Sequence, residues 1–155
     1  MIWLLPFLGC VAHLERTGLI LQDEDRVHLV STEGQETRLV LEGDARAIRS
    51  MGGCTVRLSG QRTPGGVRVD DWEVKDAGFG SQPFVGRLQR VGTDLYLKDR
   101  TTKTTLRLEA NALRGLENAV GGIVLIEGVI VGGHVLKVVT WRGLLAPDAI
   151  GRQPG

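Results

Sequence analysis

The chain has 155 residues, of which 42% are apolar and 24% charged, with a formal net charge of +1. That apolar content excludes a disordered chain. The near-neutral balance argues against a protein devoted to nucleic acid, which carries a strong basic excess. The length fits one ordinary domain or two small ones. The 22 glycines, about double average usage, punctuate short Val, Ile and Leu runs. Glycine supplies the backbone freedom of tight turns, so this pattern predicts an all-β protein.

Residues 1–9 read MIWLLPFLG and carry no charge. Nine residues cannot span a bilayer as a helix, which takes roughly 20, but they suit the apolar region of an export signal. The run Leu5-Pro6-Phe7-Leu8-Gly9-Cys10 resembles a bacterial lipobox, although no basic residue precedes it and Phe7 stands where Leu is usual. The resemblance implies lipid on Cys10, residues 1–10 as an export and anchor segment, and a periplasmic or membrane-anchored location. The competing reading is an N-terminal strand, which would leave the protein in the cytoplasm.

The remainder aligns with itself at an offset of 67 to 69 residues. Thr17-Gly18-Leu19-Ile20 matches Val85-Gly86-Arg87-Leu88, Val27-His28-Leu29 matches Leu95-Tyr96-Leu97, and Leu39-Val40-Leu41-Glu42 matches Leu106-Arg107-Leu108-Glu109. Gly53, Val56, Gly60 and Trp72 recur as Gly121, Val124, Gly128 and Trp141. An ordered set that includes a rare Trp in each copy indicates a duplication, with modules over residues 16–78 and 83–145. Residues 79–83 form a linker too short to separate them, and 146–155 a flexible tail.

Within each copy a first strand is expected to start at Gly18 or Gly86. It passes a charged bend (22–26 or 90–94) into a second strand at 27–30 or 95–98. A polar turn leads to a third strand, whose period-2 alternation is plainest in Thr105-Leu106-Arg107-Leu108-Glu109. A short helix is expected next. In the second copy it covers 111–120, with Asn111 as N-cap and Gly121-Gly122 as stop; in the first, Asp44 and Gly52-Gly53 take those places. Two final strands follow, joined by Pro64-Gly65-Gly66 or Gly132-Gly133.

The order strand, strand, strand, short helix, strand, strand resembles the OB fold. The segment Gly-Ile-Val-Leu-Ile-Glu-Gly-Val at 122–129 looks like the fourth strand of the bacterial periplasmic OB-fold family. The resemblance implies two tandem OB-like five-stranded barrels, each with a short helix between strands 3 and 4.

Chemistry is sparse. No nucleophile elbow, Walker loop, His-Glu-x-x-His or Cys-x-x-Cys is present. His13, His28 and His134 lack metal-ligand spacing, so no metal and no cofactor are expected. Cys54 lies in an apolar run and reads as a small buried side chain. Glu42 and Glu109 read as exposed strand ends or caps for the following helix, and Asp23-Glu24-Asp25 and Asp70-Asp71 as solvated bends. Trp72 and Trp141 suit a core plug or a contact between modules better than a stacking platform.

Charge is unevenly divided. Residues 16–83 hold 9 basic and 11 acidic residues, net −2, and residues 84–155 hold 10 basic and 6 acidic, net +4. Arg87, Arg90, Lys98, Arg100, Lys103 and Arg107 fall in the first three strands of the second copy, with Tyr96 among them. The corresponding face of OB folds often binds oligonucleotides. Two functions follow. The first is a non-enzymatic binding protein of the cell envelope, lipid-anchored through Cys10, with a protein or envelope component as partner. The second is a single-stranded nucleic-acid binder using Arg87, Arg90, Tyr96, Lys98, Arg100 and Arg107.

Overall fold

The structure, a computed structural model, describes residues 12–31, 37–43, 45–109 and 114–150. Five strands form a first sheet: β1 (His13–Asp23), β2 (Arg26–Ser31), β3 (Thr37–Glu42), β4 (Thr55–Thr63) and β5 (Gly66–Asp76). Five more form a second: β6 (Gln82–Val91), β7 (Asp94–Asp99), β8 (Thr105–Glu109), β9 (Ile123–Val131) and β10 (Val135–Leu145). The protein is therefore all-β, as its glycine-punctuated apolar runs predict. Neighbours run in the order β1-β2-β3-β5-β4, and β4 returns to β1, so the sheet closes on itself. The second sheet repeats this circuit with β6-β7-β8-β10-β9. Every pairing is antiparallel except β3 with β5 and β8 with β10, the contacts that close each ring. Closure leaves no long open edge on a module this small.

Side-chain alternation places the cores. Along β8 the pattern is exposed, buried, exposed, buried, exposed, so Leu106 and Leu108 face inward. The duplication is carried into the register. Leu19 stands opposite Val30 as Arg87 stands opposite Lys98, Gly18 opposite Val56 as Gly86 opposite Val124, and Trp72 opposite Leu58 as Trp141 opposite Ile126.

The paired glycines do not start their strands, contrary to the sequence reading; β1 begins at His13 and β6 at Gln82. Each glycine lies mid-strand, where a long strand passes from one neighbour to the other. Residues from His13 to Leu19 pair with β4, and those from Leu19 to Asp23 with β2. A Cβ at Gly18 or Gly86 would collide with the carbonyl oxygen of Val30 or Lys98. Only glycine lets the backbones approach so closely.

The expected helices shrink to single turns. In the first module a four-residue turn, α1 (Arg46–Arg49), has Ala45 at its N-cap without a side-chain cap; Asp44, the expected cap, lies outside the described residues. In the second, a 3₁₀ turn covers Leu116–Ala119, and Asn111 likewise lies outside the described residues. Gly115 adopts a left-handed conformation (φ 86°), which bars one continuous helix over 111–120. Residues 77–81 link the sheets, since Gln82 and Pro83 already belong to β6. After β10 the chain makes a short turn, α2 (Pro147–Ile150), and the rest of the expected tail, 151–155, lies outside the described residues.

The modules are welded together. The first core contains Ile20, Leu29, Val56, Leu58 and Val67, but also Val85, Leu125 and Leu144 of the second module. Those three apolar side chains stabilise the junction by about 1.5–3 kcal/mol each. The change is visible across the repeat. On the outer face of the first module Arg57 and Glu73 oppose each other and pair at 3.1 Å. The matching positions of the second module hold Leu125 and Arg142, and Leu125 is buried against its neighbour.

Candidate functional site

Of the six basic residues singled out in the sequence, the outer face of β6, β7 and β8 gathers Arg87, Lys98 and Arg107, while Lys103 lies in the β7–β8 turn. Inward-facing Leu88, Leu97 and Leu106 force their alternate neighbours outward. One cross-strand row is therefore Arg87–Lys98–Thr105, and the next is Gln89–Tyr96–Arg107. Arg87 and Lys98 are directly opposed, exposed, and have no hydrogen-bond or ion-pair partner among the described residues. Like charges so placed repel by a few tenths of a kcal/mol or more. Arg107 reaches Asp94 at 3.5 Å.

Two predicted members do not join this face. Arg90 has the opposite pleat, across from Leu95 at the end of the strand. Arg100 projects from the β7–β8 turn toward the first module. The turn is wound around the buried carboxylate of Asp99, which accepts bonds from the Thr102 N–H (3.1 Å) and hydroxyl (2.6 Å). Arg100 lies 4.0 Å over the Trp72 ring and donates to the Trp72 carbonyl and, at 2.7 Å, to Asp71. Trp72 is thus a contact between modules, whereas Trp141 packs on the second core. Cys10 lies outside the described residues.

The other residues considered have structural surroundings. Glu42 caps no helix; it accepts a hydrogen bond from the Thr63 hydroxyl at 2.6 Å, and that hydroxyl accepts one from Gly66 N–H, fixing the β4–β5 turn. Glu109 sits 4.0 Å from Lys137. Asp23 pairs with Arg38 at 3.0 Å. Among the described residues no three His, Cys, Asp or Glu side chains converge as a metal site, and no helix is long and apolar enough to cross a membrane.

A second locus went unnoticed in the sequence. At the junction, Arg142 donates through Nη1 to the carbonyls of Ser50 (3.2 Å) and Gly52 (3.0 Å) and touches Cys54 Sγ at 3.7 Å. Burial pushes the Cys54 thiol up from its ordinary range, a rise that Arg142 partly offsets. Nearby, Glu127 is only 2% exposed, and its Oε2 has no hydrogen-bond partner. The signal was available: Glu127 is the lone charge in Ile-Val-Leu-Ile-Glu-Gly-Val-Ile-Val of β9.

Neither the family models nor the curated proteins compared with this chain include a match to it.

Proposed function

We propose that this is a non-enzymatic binding protein of the cell envelope, built from two OB-like modules and holding a phosphate-bearing envelope component on the outer face of β6–β8. The strand circuit, with its parallel closing pair and helical turn before the fourth strand, supports the OB-like reading. The observation that carries the ligand is the unpartnered, directly opposed pair Arg87 and Lys98. Folding does not demand it, because the same positions in the first module are Leu19 and Val30. An anion between the two cations removes their repulsion and gains charge-assisted hydrogen bonds. The envelope location rests on the lipobox-like run ending at Cys10.

Tyr96, beside Lys98 on the same face, favours a second reading, single-stranded nucleic acid with a base stacked on the ring. One titration addresses both. The protein is mixed at low salt with labelled inorganic polyphosphate or with a labelled oligothymidylate. Envelope binding predicts saturable uptake of polyphosphate that falls in Arg87→Ala and Lys98→Ala but survives Tyr96→Ala. Preference for the oligonucleotide with loss in Tyr96→Ala transfers the proposal to nucleic acid, and no binding of either defeats both. Fatty-acid labelling abolished by Cys10→Ser tests the location independently.

A further inference from the structure

We infer that the junction between the modules holds a second binding site, selective for a primary alkylammonium group. It is separate from the basic face and does not rest on the reading of that face. A cavity of about 210 Å³ opens where β9 and β10 meet the linker, lined by Ala77, Phe79, Leu125, Glu127, Thr140 and Arg142. Glu127 and Leu125 share the outward pleat of β9, so the burial of Leu125 against the first module carries the carboxylate in with it. The repeat position in the first module is Ser59, which is not buried. The acid therefore belongs to the junction, not to the module's fold.

A carboxylate this deep is unfavourable unless it is paired and hydrogen-bonded. Its strand neighbours give it nothing. Pro83, opposite on β6, has no N–H, and the Thr140 hydroxyl, opposite on β10, makes no bond to it. The one cation lining the cavity, Arg142, directs Nη1 at the Ser50 and Gly52 carbonyls. What remains is an uncompensated carboxylate in the lining of a chamber with apolar walls from Ala77, Leu125 and Phe79. Phe79, 67% exposed, lines the same chamber and offers its ring to a ligand's alkyl stem. A short alkyl stem ending in an ammonium matches each part: methylenes against the walls, and N–H donors to Glu127 and Thr140. A carboxylate or phosphate ligand is repelled by Glu127, and a neutral alcohol leaves its charge uncompensated.

The chemistry is shared by free diamines and by the lysine side chain of a partner protein. The test titrates the full chain, followed by backbone amide NMR shifts at Ala77, Glu127 and Thr140, with n-butylammonium, putrescine, Nα-acetyl-lysine methylamide and n-butanol. Saturable shifts with the ammonium probes and none with n-butanol are expected. Glu127→Gln should weaken binding roughly ten- to a hundredfold, and Phe79→Ala should weaken it without unfolding the chain. Lys98→Ala, on the other face, should leave it unchanged. Binding by the lysine amide as well as by n-butylammonium assigns a protein lysine; binding by n-butylammonium and putrescine but not by the lysine amide assigns a free amine. No saturable shift with n-butylammonium, or equal affinity in Glu127→Gln, overturns the site. If Glu127→Gln does not fold, undiminished binding by Phe79→Ala overturns it.

Discussion

Arg100 of the second module lies over the ring of Trp72 of the first, 4.0 Å from guanidinium carbon to ring centroid, and the same guanidinium bonds the Trp72 carbonyl and Asp71. A cation over the ring that also bonds a carbonyl and a carboxylate needs several donors in a fixed fork, which Arg has and Lys lacks. The Asp71 pair adds little, because Asp71 is largely exposed. Arg100→Ala is expected to lower unfolding free energy by about 1–2 kcal/mol and to shift tryptophan emission to longer wavelength. Arg100→Lys should recover less than half of the loss. Urea titration followed by fluorescence and by circular dichroism measures both effects.

The reach of the sequence can be judged from particular residues. The repeat and the strands were legible because apolar alternation and matching glycines are local signals that the fold reads directly. The equivalence of Gly18 and Gly86 is legible, but their place mid-strand is not, since a glycine marks a close backbone approach as readily as a turn. The expected helix failed at Gly115, whose left-handed backbone outweighed the apolar spacing around it. Three residues of the basic face, Arg87, Lys98 and Arg107, are legible from charge alone, and Tyr96 from its place among them. The role of Arg100 is not legible because its partner, Trp72, is 28 residues away and contacts it through the docking of two modules. The burial of Glu127 is hidden for the same reason, as nothing local says that the outside of β9 becomes an inside.

Cys54 predicts the alkaline behaviour of the junction. Its side chain is fully buried, and burial raises its thiol pKa above the ordinary value of 9.0. In the native state the proton is therefore retained at a pH where the unfolded chain has lost it. The sign follows: the thiol's contribution is fully present below about pH 9 and is lost as pH rises from there through the folded value. The slope cannot exceed about 1.4 kcal/mol per pH unit from one group. Cys54→Ala should be less stable at neutral pH by about 1 kcal/mol, from the small cavity left. The gap between it and the parent should narrow above pH 9. Denaturant melts of the two proteins from pH 7 to 10.5 measure this difference, and a constant gap counts against the burial argument.

The tight turns between the first two strands of each module make a matched pair. Glu24 has φ 48°, and Gly92, at the repeat position, has φ 61°. The left-handed region strains a residue with a Cβ and costs glycine almost nothing. Glu24→Gly should therefore raise stability by about 1 kcal/mol, despite the entropy that glycine adds to the unfolded chain. Gly92→Glu should lower it by a similar amount. Thermal melts of the two variants are the check, and a loss in Glu24→Gly would mean the Glu24 side chain makes a contact worth more than the strain.

Lys98 sets stability against binding. It faces Arg87 directly across β6 and β7, and neither has an ion-pair partner among the described residues. Lys98→Glu converts the repulsive pair into an attractive one, and the unliganded protein should gain about 0.5–1 kcal/mol at low salt. The gain should fade as salt is raised, since both side chains are exposed and screened within roughly 8 Å at physiological ionic strength. The same variant should lose polyphosphate binding altogether, because one cation is removed and the new carboxylate repels the ligand. Lys98→Gln separates the two consequences: it relieves the repulsion without supplying an attraction, and should gain less stability while weakening the ligand by a smaller factor. Melting temperatures against salt, read beside polyphosphate titrations of all three proteins, test the link. A face shaped only by folding would show no rise in stability when its charge is reversed.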